Sequence, residues 1–477
     1  MLFNTFTFFL FFITVFFLYW FLLKKRRVSQ NILLLIASYV FYGWWDWRFL
    51  SLIVISTIVD FAIGKLIFNT TDKKRRKVLL VISLLVNLGF LGFFKYYNFF
   101  IENWILAWES FGISMNLSSL QIILPVGISF YTFQTLSYTI DIYRKKIEPT
   151  DSILSFATFV AFFPQLVAGP IERAQHLLPQ FLRERKFSYK HALSGIHIFI
   201  WGLFKKVVIA DTCATYVDVI FQDYGSMSTL TLMLGAVYFA FQIYGDFSGY
   251  SDMAIGLARM LGFDLMQNFK YPYFARDIAE FWRRWHISLT TWFRDYLYIP
   301  LGGSRTTLAL QVRNVFIIFL VSGFWHGANW TFIAWGFLNA IYFLPLLLLK
   351  RNRVNKDNIE IVNVGQGIKT GFKILATFTI TCFSWVFFRA DNIQHALDYI
   401  MRMVSNKNFG IQFLSIERYN IELIAILGVF IAIEWFHRKH EHPFTGKFYL
   451  AKIILILFLT IVLGVFSNHE DFIYFQF

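Results

Sequence analysis

The chain has 477 residues, of which 57% are hydrophobic and only 15% are charged, and its mean hydropathy is +0.55. This composition excludes an assembly of soluble domains and indicates a polytopic membrane protein. The formal charge of +15 does not indicate nucleic-acid binding, because the basic residues stand in short clusters between apolar runs. Such clusters are typical of the cytoplasmic loops of membrane proteins. The clearest clusters are 24–27, 73–77 and 144–146.

The first apolar run, Leu2 to Leu23, is followed by Lys24-Lys-Arg-Arg27, with no basic segment before it and no small-residue cleavage site after it. We therefore expect a retained transmembrane helix and not a signal peptide. With Lys24 to Arg27 in the cytoplasm, the positive-inside rule places the N-terminus outside the cytoplasm. A basic loop recurs after every second span, as this orientation requires, and we expect both termini to be extracytoplasmic.

Hydropathy predicts an all-α, multi-pass fold with about eleven or twelve transmembrane helices. The apolar runs are 2–23, 31–45, 49–68, 78–98, 120–140, 193–210, 229–247, 314–330, 331–349, 370–388, 418–436 and 449–466. The two cysteines, Cys213 and Cys382, lie far apart and form no CxxC motif. Neither a disulfide framework nor a cysteine metal site is expected.

Two segments differ from simple membrane-crossing helices. Residues 156–170 are apolar but contain Pro164, Gly169 and Pro170, so their backbone groups cannot all pair within one helix. We expect this segment to enter the membrane and turn back, shielded by protein. Residues 281–300 carry aromatic side chains at helical spacing and charged side chains on the other face, which predicts one helix lying along the interface.

His326 follows an almost wholly apolar run, Asn314 to Trp325. A helix starting at Arg313 would carry this ring ~20 Å into a hydrocarbon layer ~30 Å thick. An ionisable ring at that depth is costly and indicates a functional site. Desolvation keeps the imidazole neutral, so His326 is a candidate general base that accepts a proton from a hydroxyl in acyl transfer. The alternative is a structural histidine that donates to a carbonyl group of a neighbouring helix.

His286 stands four residues after Trp282 and seven before Phe293, so one continuous helix would place it on the apolar face, pointing toward the protein. If the basic residues Arg305 and Arg313 are cytoplasmic, His286 and His326 mark a line from the cytoplasmic side toward the membrane interior. The alternative for His286 is an anchoring residue of an interface helix, without a catalytic duty.

The other histidines give weaker signals. His197 is a lone ring in an apolar span and is expected to be structural. His437, His440 and His442 have the spacing of metal ligands, but the charged residues around them favour a solvated basic loop. The sequence has no Gly-rich phosphate loop after a strand, no GxSxG elbow and no paired carboxylates in the predicted spans. Nucleotide hydrolysis and serine-hydrolase chemistry therefore have no support, and no metal is expected.

Longer motifs resemble the membrane-bound O-acyltransferase (MBOAT) family, and within it the bacterial alginate O-acetylase type. They are YPYFARDIAEFWRRWHISLTTWFRDYLYIPLGG at 271–303, SGFWHGA at 322–328, LPVGISFYTFQTLSY at 124–138, FFPQLVAGPIER at 162–173, YGDFSGYSDMAIG at 244–256 and SWVFFRA at 384–390. The resemblance implies a single integral membrane acyltransferase domain, residues 1–477, with its helices around a central tunnel. Residues 271–330 would form the catalytic core.

The resemblance also implies roles for individual residues. His326 looks like the family's catalytic histidine, and His286 looks like its second histidine or asparagine position, which would position or polarise a thioester. The implied donor is cytoplasmic acetyl-CoA, whose phosphates Arg283 or Arg284 would meet, although these side chains could instead contact lipid headgroups. The implied acceptor is an extracytoplasmic polysaccharide such as alginate, another exopolysaccharide or peptidoglycan, reached through a separate SGNH-type transferase. The implied location is the bacterial inner membrane.

The tail, residues 467–477, ends in FIYFQF. This ending resembles the aromatic C-terminal motif of the small partner peptide in teichoic-acid D-alanylation, where a tyrosine is thought to carry the acyl group. Tyr474 is therefore a candidate acyl carrier, and the alternative is an interfacial aromatic belt. Extended at ~3.3 Å per residue, the tail spans ~36 Å, enough to fold back to His326.

Three other functions stay open at this stage. A transporter or flippase of a lipid-linked glycan would move its substrate without acyl transfer, but no clear internal repeat supports it. D-alanyl transfer from a carrier protein is possible within the same family, although the long alginate-type motifs argue against it. A non-catalytic scaffold would tolerate His326→Ala with only a stability effect.

Overall fold

The computed structural model describes residues 1–477 except 116–118, 357–358, 361–362, 406, 411, 413, 415–421, 467–471 and 474–477. The described residues contain helices and no β-strand, which confirms the all-α prediction. The helices are α1 (Phe6–Phe17), α2 (Arg27–Asp46), α3 (Leu50–Asn69), α4 (Lys73–Leu91), α5 (Tyr97–Glu109), α6 (Ile128–Tyr143), α7 (Ile153–Ala161), α8 (Phe163–Leu166), α9 (Ala174–Leu182), α10 (Tyr189–Phe204), α11 (Asp211–Gln222), α12 (Thr229–Met260), α13 (Ile278–Arg284), α14 (Ile287–Phe293), α15 (Leu308–His326), α16 (Trp330–Leu348), α17 (Val364–Arg389), α18 (Ile393–Ser405), α19 (Glu422–His437) and α20 (Tyr449–Leu463).

The protein is a multi-pass membrane protein. Within the described residues, seven helical runs are long and apolar enough to cross a membrane: Arg27–Asn69, Lys73–Glu109, Tyr189–Gln222, Thr229–Met260, Leu308–His326, Trp330–Leu348 and Val364–Arg389. Three shorter apolar helices of 10–17 residues are Phe6–Leu22, Leu423–His437 and Tyr449–Leu463. The first long run contains two of the predicted spans, because α2 and α3 are joined by a single 3-10 turn, Trp47–Phe49.

The chain forms two compact units, and the predicted catalytic core, 271–330, lies wholly in the second. The first unit consists of Met1–Ile196 and Ala254–Met266, and the second of His197–Met253 and Gln267–Phe477.

In the first unit, the predicted span 120–140 is helical only from Ile128 onward. The preceding residue, Gly127, has φ +74°, and a side chain there would collide with the carbonyl oxygen of Leu166. Glycine is therefore required at this turn, and the helix begins after it. All residues of α6 from Ile128 to Thr139 are buried, so α6 is a central helix of this unit.

The segment 156–170 is broken, as its prolines predict. Helix α7 ends at Ala161, and after Phe162 the chain makes only the single turn of α8. The Gln134 side chain donates to the carbonyl oxygen of Phe159 (2.7 Å), and the Phe163 N–H donates to Ser38 Oγ (3.0 Å). The whole segment is buried, which confirms that protein shields it. Side chains thus satisfy backbone groups near the break that a continuous helix would have paired.

In the second unit, α15 and α16 form an antiparallel hairpin through the turn Gly327–Asn329. The two backbones approach closely at two glycines. A Cβ on Gly323 would collide with the carbonyl oxygen of Phe332, and one on Gly336 would collide with that of Phe319. This close packing determines the position of His326, one turn after Gly323.

Candidate active site

The second unit contains a cavity of about 800 Å³ that both predicted histidines line. Near the histidines its lining is mainly aromatic, with Trp282, Trp285 and Phe319. The cavity volume is in the range of ordinary small-molecule sites, and its mostly apolar lining is typical of them.

His326 is the last residue of α15 and is 4% exposed. Its ring meets Trp335 edge to face at 5.1 Å between centroids and Phe388 at 5.2 Å. Helix α15 starts at Leu308, five residues before the predicted start, so roughly 27 Å of helix precede the ring. The predicted span 314–330 ends at His326, because Gly327 is extended and Asn329 caps the next helix by accepting from the Thr331 N–H.

The prediction of one continuous helix over 281–300 is wrong. The chain instead forms α13 and α14, separated at Trp285 and His286, and a π-helical turn at Arg294–Tyr298. His286 has φ +43°, in the left-handed region, which costs about 1–3 kcal/mol for a residue other than glycine. Its ring is 1% exposed. The surrounding structure therefore holds this histidine in a strained conformation inside the protein.

Asn268 is the main polar partner of His286. Its Oδ1 lies 3.0 Å from His286 Nδ1 and 2.9 Å from Ser288 Oγ, and its main-chain carbonyl accepts from the Ile287 N–H at 2.8 Å. Asn268 is itself fully buried, and its Nδ2 donates to Ser251 Oγ at 3.1 Å. Sequence reasoning missed Asn268, because neither periodicity nor a local motif connects it with a residue 18 positions later.

A cluster of aromatic rings surrounds the two histidines. Trp325 connects them, with its ring 6.0 Å from His286 and 4.8 Å from His326 between centroids. Behind His326, Trp335 stacks on Trp385 at 5.6 Å. These rings are buried, and they make the histidine end of the cavity apolar.

The other end of the cavity carries positive charge. Five cationic side chains line the cavity, Arg283, Arg294, Lys350, Arg353 and Lys356, and we call the part formed by Arg283, Lys350, Arg353 and Lys356 the basic end. Helix α16 begins after the turn next to His326 and is roughly 28 Å long. Lys350 follows the far end of this helix. Arg283 donates to the main-chain carbonyls of Asn352 (2.9 Å) and Asn355 (2.8 Å), so it belongs to the same end.

Of the two arginines predicted to meet phosphates, Arg283 lines the cavity and Arg284 does not. Arg284 instead pairs with Glu280 at 2.6 Å, and Arg276 holds the same carboxylate at 2.9 Å. Burial alone would raise the pKa of Glu280, but the bonds from Arg276 and the charge of Arg284 hold this pKa below its usual value. Arg284 therefore has a structural partner.

Sequence reasoning also missed a buried ionic network in the second unit. Lys206, in a π-helical turn between α10 and α11, lies 2.9 Å from Asp211 and 2.8 Å from Asp246, and all three side chains are nearly inaccessible. The neighbouring Lys205 pairs with Asp252 at 2.7 Å. Asp211 and Asp252 lie just outside the predicted spans 193–210 and 229–247, and all three carboxylates pair with lysines. The missed signal was two adjacent lysines inside the predicted span 193–210, where buried charges require partners.

Two residues of the C-terminal tail, Phe472 and Ile473, lie near this network and near His286. The Ile473 N–H donates to Asp246 Oδ2 at 2.7 Å, and Phe472 and Ile473 are both buried. The Phe472 ring lies 6.0 Å from that of Phe247, which lies 4.6 Å from the His286 ring. Tyr474 lies outside the described residues.

The remaining histidines form no metal site among the described residues. His197 is not alone, because its ring lies 5.4 Å from that of His442. His437 is half-buried. Its Nδ1 donates to the Ile433 carbonyl (2.9 Å), and its Nε2 accepts from Lys452 (2.9 Å). Only His440 has the exposure that the predicted solvated loop implies.

Comparison with known proteins places this geometry in a family. The family model of the membrane-bound O-acyltransferases (MBOAT) matches residues 144–384, a range that contains both histidines and the whole cavity lining. The chain is 43% identical over 368 residues to the probable alginate O-acetylase AlgI of Pseudomonas aeruginosa, covering 77% of this chain and 68% of that protein. It is 37% identical over 410 residues to the peptidoglycan O-acetyltransferase of Helicobacter pylori, covering 80% of this chain and 75% of that protein.

A more distant relative is the teichoic acid D-alanyltransferase of Streptococcus thermophilus, which is 28% identical over 263 residues, 49% of this chain and 59% of that protein. The similarity thus extends over most of the chain for the O-acetyltransferases and over about half of it for the D-alanyltransferase. The chain belongs to the membrane-bound O-acyltransferase family and is an acyltransferase.

Proposed function

We propose that this protein moves an acetyl group from cytoplasmic acetyl-CoA across the membrane for the O-acetylation of an extracytoplasmic polysaccharide, alginate-like or peptidoglycan. The observation that carries this proposal is one cavity lined both by His326 and by five cationic side chains. The similarity to alginate and peptidoglycan O-acetyltransferases supports the acceptor class. The lower similarity to the D-alanyltransferases argues against an aminoacyl donor.

The basic end of the cavity fits the nucleotide part of an acyl-CoA. Coenzyme A carries its phosphates at one end of a long flexible arm and its thioester at the other. Guanidinium and ammonium groups bind phosphates through charge-assisted hydrogen bonds. The same residues, together with Arg305 and Arg313, would be cytoplasmic under the positive-inside rule, the side on which acetyl-CoA is made.

His326 would act as the general base. The acceptor hydroxyl gives its proton to His326, its oxygen attacks the thioester carbonyl, and the carbon–sulfur bond breaks. The imidazolium then returns the proton to the departing thiolate, so that an ester and the free thiol are formed. The apolar aromatic surroundings of His326 protect the thioester from hydrolysis. No step requires a metal.

The direct test supplies labelled acyl donors to membranes and measures base-labile acetate on the glycan fraction. We expect transfer from acetyl-CoA, no transfer from a D-alanyl thioester, and a KM at least about tenfold higher for acetyl-pantetheine, which lacks the phosphates. Equal KM values for the two acetyl donors would show that the basic end does not bind the phosphates of the donor. Movement of a lipid-linked glycan without labelling of the glycan would instead support the transporter alternative.

Delivery to the glycan would use an extracytoplasmic SGNH-type transferase, with Tyr474 as a transient acyl carrier on this chain. The position of the two residues before it supports this proposal. Phe472 packs on Phe247, the ring that touches His286, and Ile473 is tied to Asp246. From Ile473, only a short length of chain is needed for Tyr474 to present its hydroxyl to the cavity.

Tyr474→Phe removes only the hydroxyl that would carry the acetyl group. We expect it to abolish acetylation of the glycan while the chain stays folded and still binds acetyl-CoA. Mass spectrometry of the C-terminal peptide should detect a mass increase of one acetyl group in the wild type and not in the variant. The matched control is Phe475→Leu, which alters an aromatic residue of the same tail and should keep its acetylation. Wild-type acetylation in Tyr474→Phe would end the carrier role.

A further inference from the structure

The hydrogen bonds around Asn268 determine how its side-chain amide is oriented. The backbone N–H of Ser288 lies 3.3 Å from one amide atom of Asn268, and a backbone N–H can only donate. That amide atom must therefore be the oxygen, Oδ1. On its other side the amide nitrogen donates to Ser251 Oγ at 3.1 Å. The orientation of this buried amide thus follows from chemistry and needs no assumption about hydrogen positions.

This orientation determines the tautomer of His286. Because Asn268 Oδ1 only accepts, the His286 Nδ1 atom 3.0 Å away must carry the hydrogen. In a neutral imidazole the lone pair then lies on Nε2, at the opposite edge of the ring. Burial lowers the pKa of His286 to about 3, so the ring is neutral near pH 7.

Charged groups around His286 do not disturb this state. Among the described residues, Phe247, Phe269 and Trp325 have rings near His286, and these rings are uncharged. The ionisable groups on the described elements around it are Asp246, Asp252, Arg259 and three tyrosines of α12 (Tyr238, Tyr244 and Tyr250), Glu280, Arg283 and Arg284 of α13, Arg294, Asp295, Tyr296 and Tyr298 in the turn after α14, and Arg313 and His326 of α15. The carboxylates in this set are paired with lysine or arginine.

We infer that Asn268 is a positioning residue that fixes His286 as a hydrogen-bond acceptor at Nε2 and also holds its left-handed backbone. The side-chain oxygen sets the tautomer, and the main-chain carbonyl accepts from Ile287, next to the strained residue. This inference rests on the proposed acyl transfer and refines it. A ring with its lone pair on Nε2 cannot donate to a thioester carbonyl. His286 therefore does not polarise the thioester but accepts from an N–H or O–H group of a substrate in the cavity.

The test replaces Asn268 by aspartate and by leucine. Asn268→Asp keeps an acceptor opposite Nδ1 but adds a negative charge, which raises the pKa of His286. Since His286 must be unprotonated to accept, the acidic limb of the kcat/KM profile should move to higher pH, with activity retained on the alkaline side. Asn268→Leu removes the acceptor and should lower kcat/KM by about 10- to 100-fold, as for outer partners of metal-bound histidines.

A second readout does not depend on acetyl transfer. In the wild type, unfolded His286 binds a proton below about pH 6.5 and the folded ring does not, so this histidine lowers stability as pH falls from about 6.5 to about 3. Raising the folded pKa in Asn268→Asp should weaken this loss. The apparent melting temperature of the purified full-length protein, followed against pH, measures the difference between the two proteins.

The matched control is Asn339→Leu, a buried asparagine of α16 whose side chain donates to the Trp335 carbonyl and is not placed at His286. It should leave the midpoint of the pH profile where the wild type has it. A folded Asn268→Asp protein with the wild-type pH profile and the wild-type pH dependence of melting would overturn the inference. So would unchanged kcat/KM in Asn268→Leu. Absence of acetyl transfer in the wild type would instead contradict the proposed function, while the melting experiment would still test the tautomer.

Discussion

His326→Ala is expected to lower kcat/KM for acetyl transfer by about 10³-fold, within the usual contribution of a general base. This loss equals roughly 4 kcal/mol of transition-state stabilisation. The physical reason is that the His326 imidazole lines the cavity and accepts the proton of the attacking hydroxyl in the proposed reaction. The measurement is the initial rate of labelled acetate transfer to the glycan in membranes that contain the variant and the partner transferase.

The variant must also be shown to fold, because His326 packs between Trp335 and Phe388 and its loss leaves a small void. His326→Gln, which fills more of this space, should be equally inactive and closer to wild-type stability. His197→Gln is the matched control, since this ring packs against His442 and does not line the cavity. If the protein were a non-catalytic scaffold, His326→Ala would change the melting temperature and leave acetylation unchanged. That result would contradict the role of His326 as general base.

Lys206→Leu is expected to destabilise the protein by about 3–5 kcal/mol, because it leaves two carboxylates buried without their cation. Asp211 and Asp246 are almost inaccessible to solvent and lie 2.9 and 2.8 Å from the Lys206 ammonium group. Both belong to helical runs that are long and apolar enough to cross a membrane. We expect a strongly reduced yield of folded protein and a lower melting temperature in detergent. Because Asp246 also holds the Ile473 N–H, protease sensitivity of the C-terminal segment should rise.

The compensating variant separates charge from packing. Asp211→Asn and Asp246→Asn, added to Lys206→Leu, remove the uncompensated charges and should restore much of the lost stability. Lys206→Arg keeps the cation and should be milder than the leucine variant. If Lys206→Leu alone melts like the wild type, the network contributes nothing to stability, and its carboxylates must be neutral or hydrated in the folded protein.

Much of the helical architecture could be predicted from the sequence, because hydropathy and proline positions act locally. The break inside 156–170 and the burial of His326 follow from residues within one segment. The interruption at His286 could not be predicted, because the aromatic residues before and after it keep helical spacing although the backbone changes direction. Hydropathy and helical spacing singled out both histidines and the resemblance implied a tunnel, but the sequence did not identify the other residues that line the cavity.

The partners of the site residues were beyond sequence reasoning for a different reason. Asn268 contacts His286 across 18 residues, and Lys206 meets Asp246 only when α12 packs beside the turn that follows α10. Such contacts depend on tertiary packing, which no local period records. Two lysines within an apolar run nevertheless demand buried acids, so their existence, though not their identity, could have been predicted.

The left-handed backbone at His286 has a consequence for how this position evolves. If folding alone were selected, glycine would suit φ +43° better than any residue with a side chain. A histidine there keeps a conformation that works against thermodynamic stability, and only the usefulness of its ring can maintain it. Under relaxed selection, this residue should therefore be replaced by glycine or asparagine. The resulting protein would be more stable but catalytically inactive.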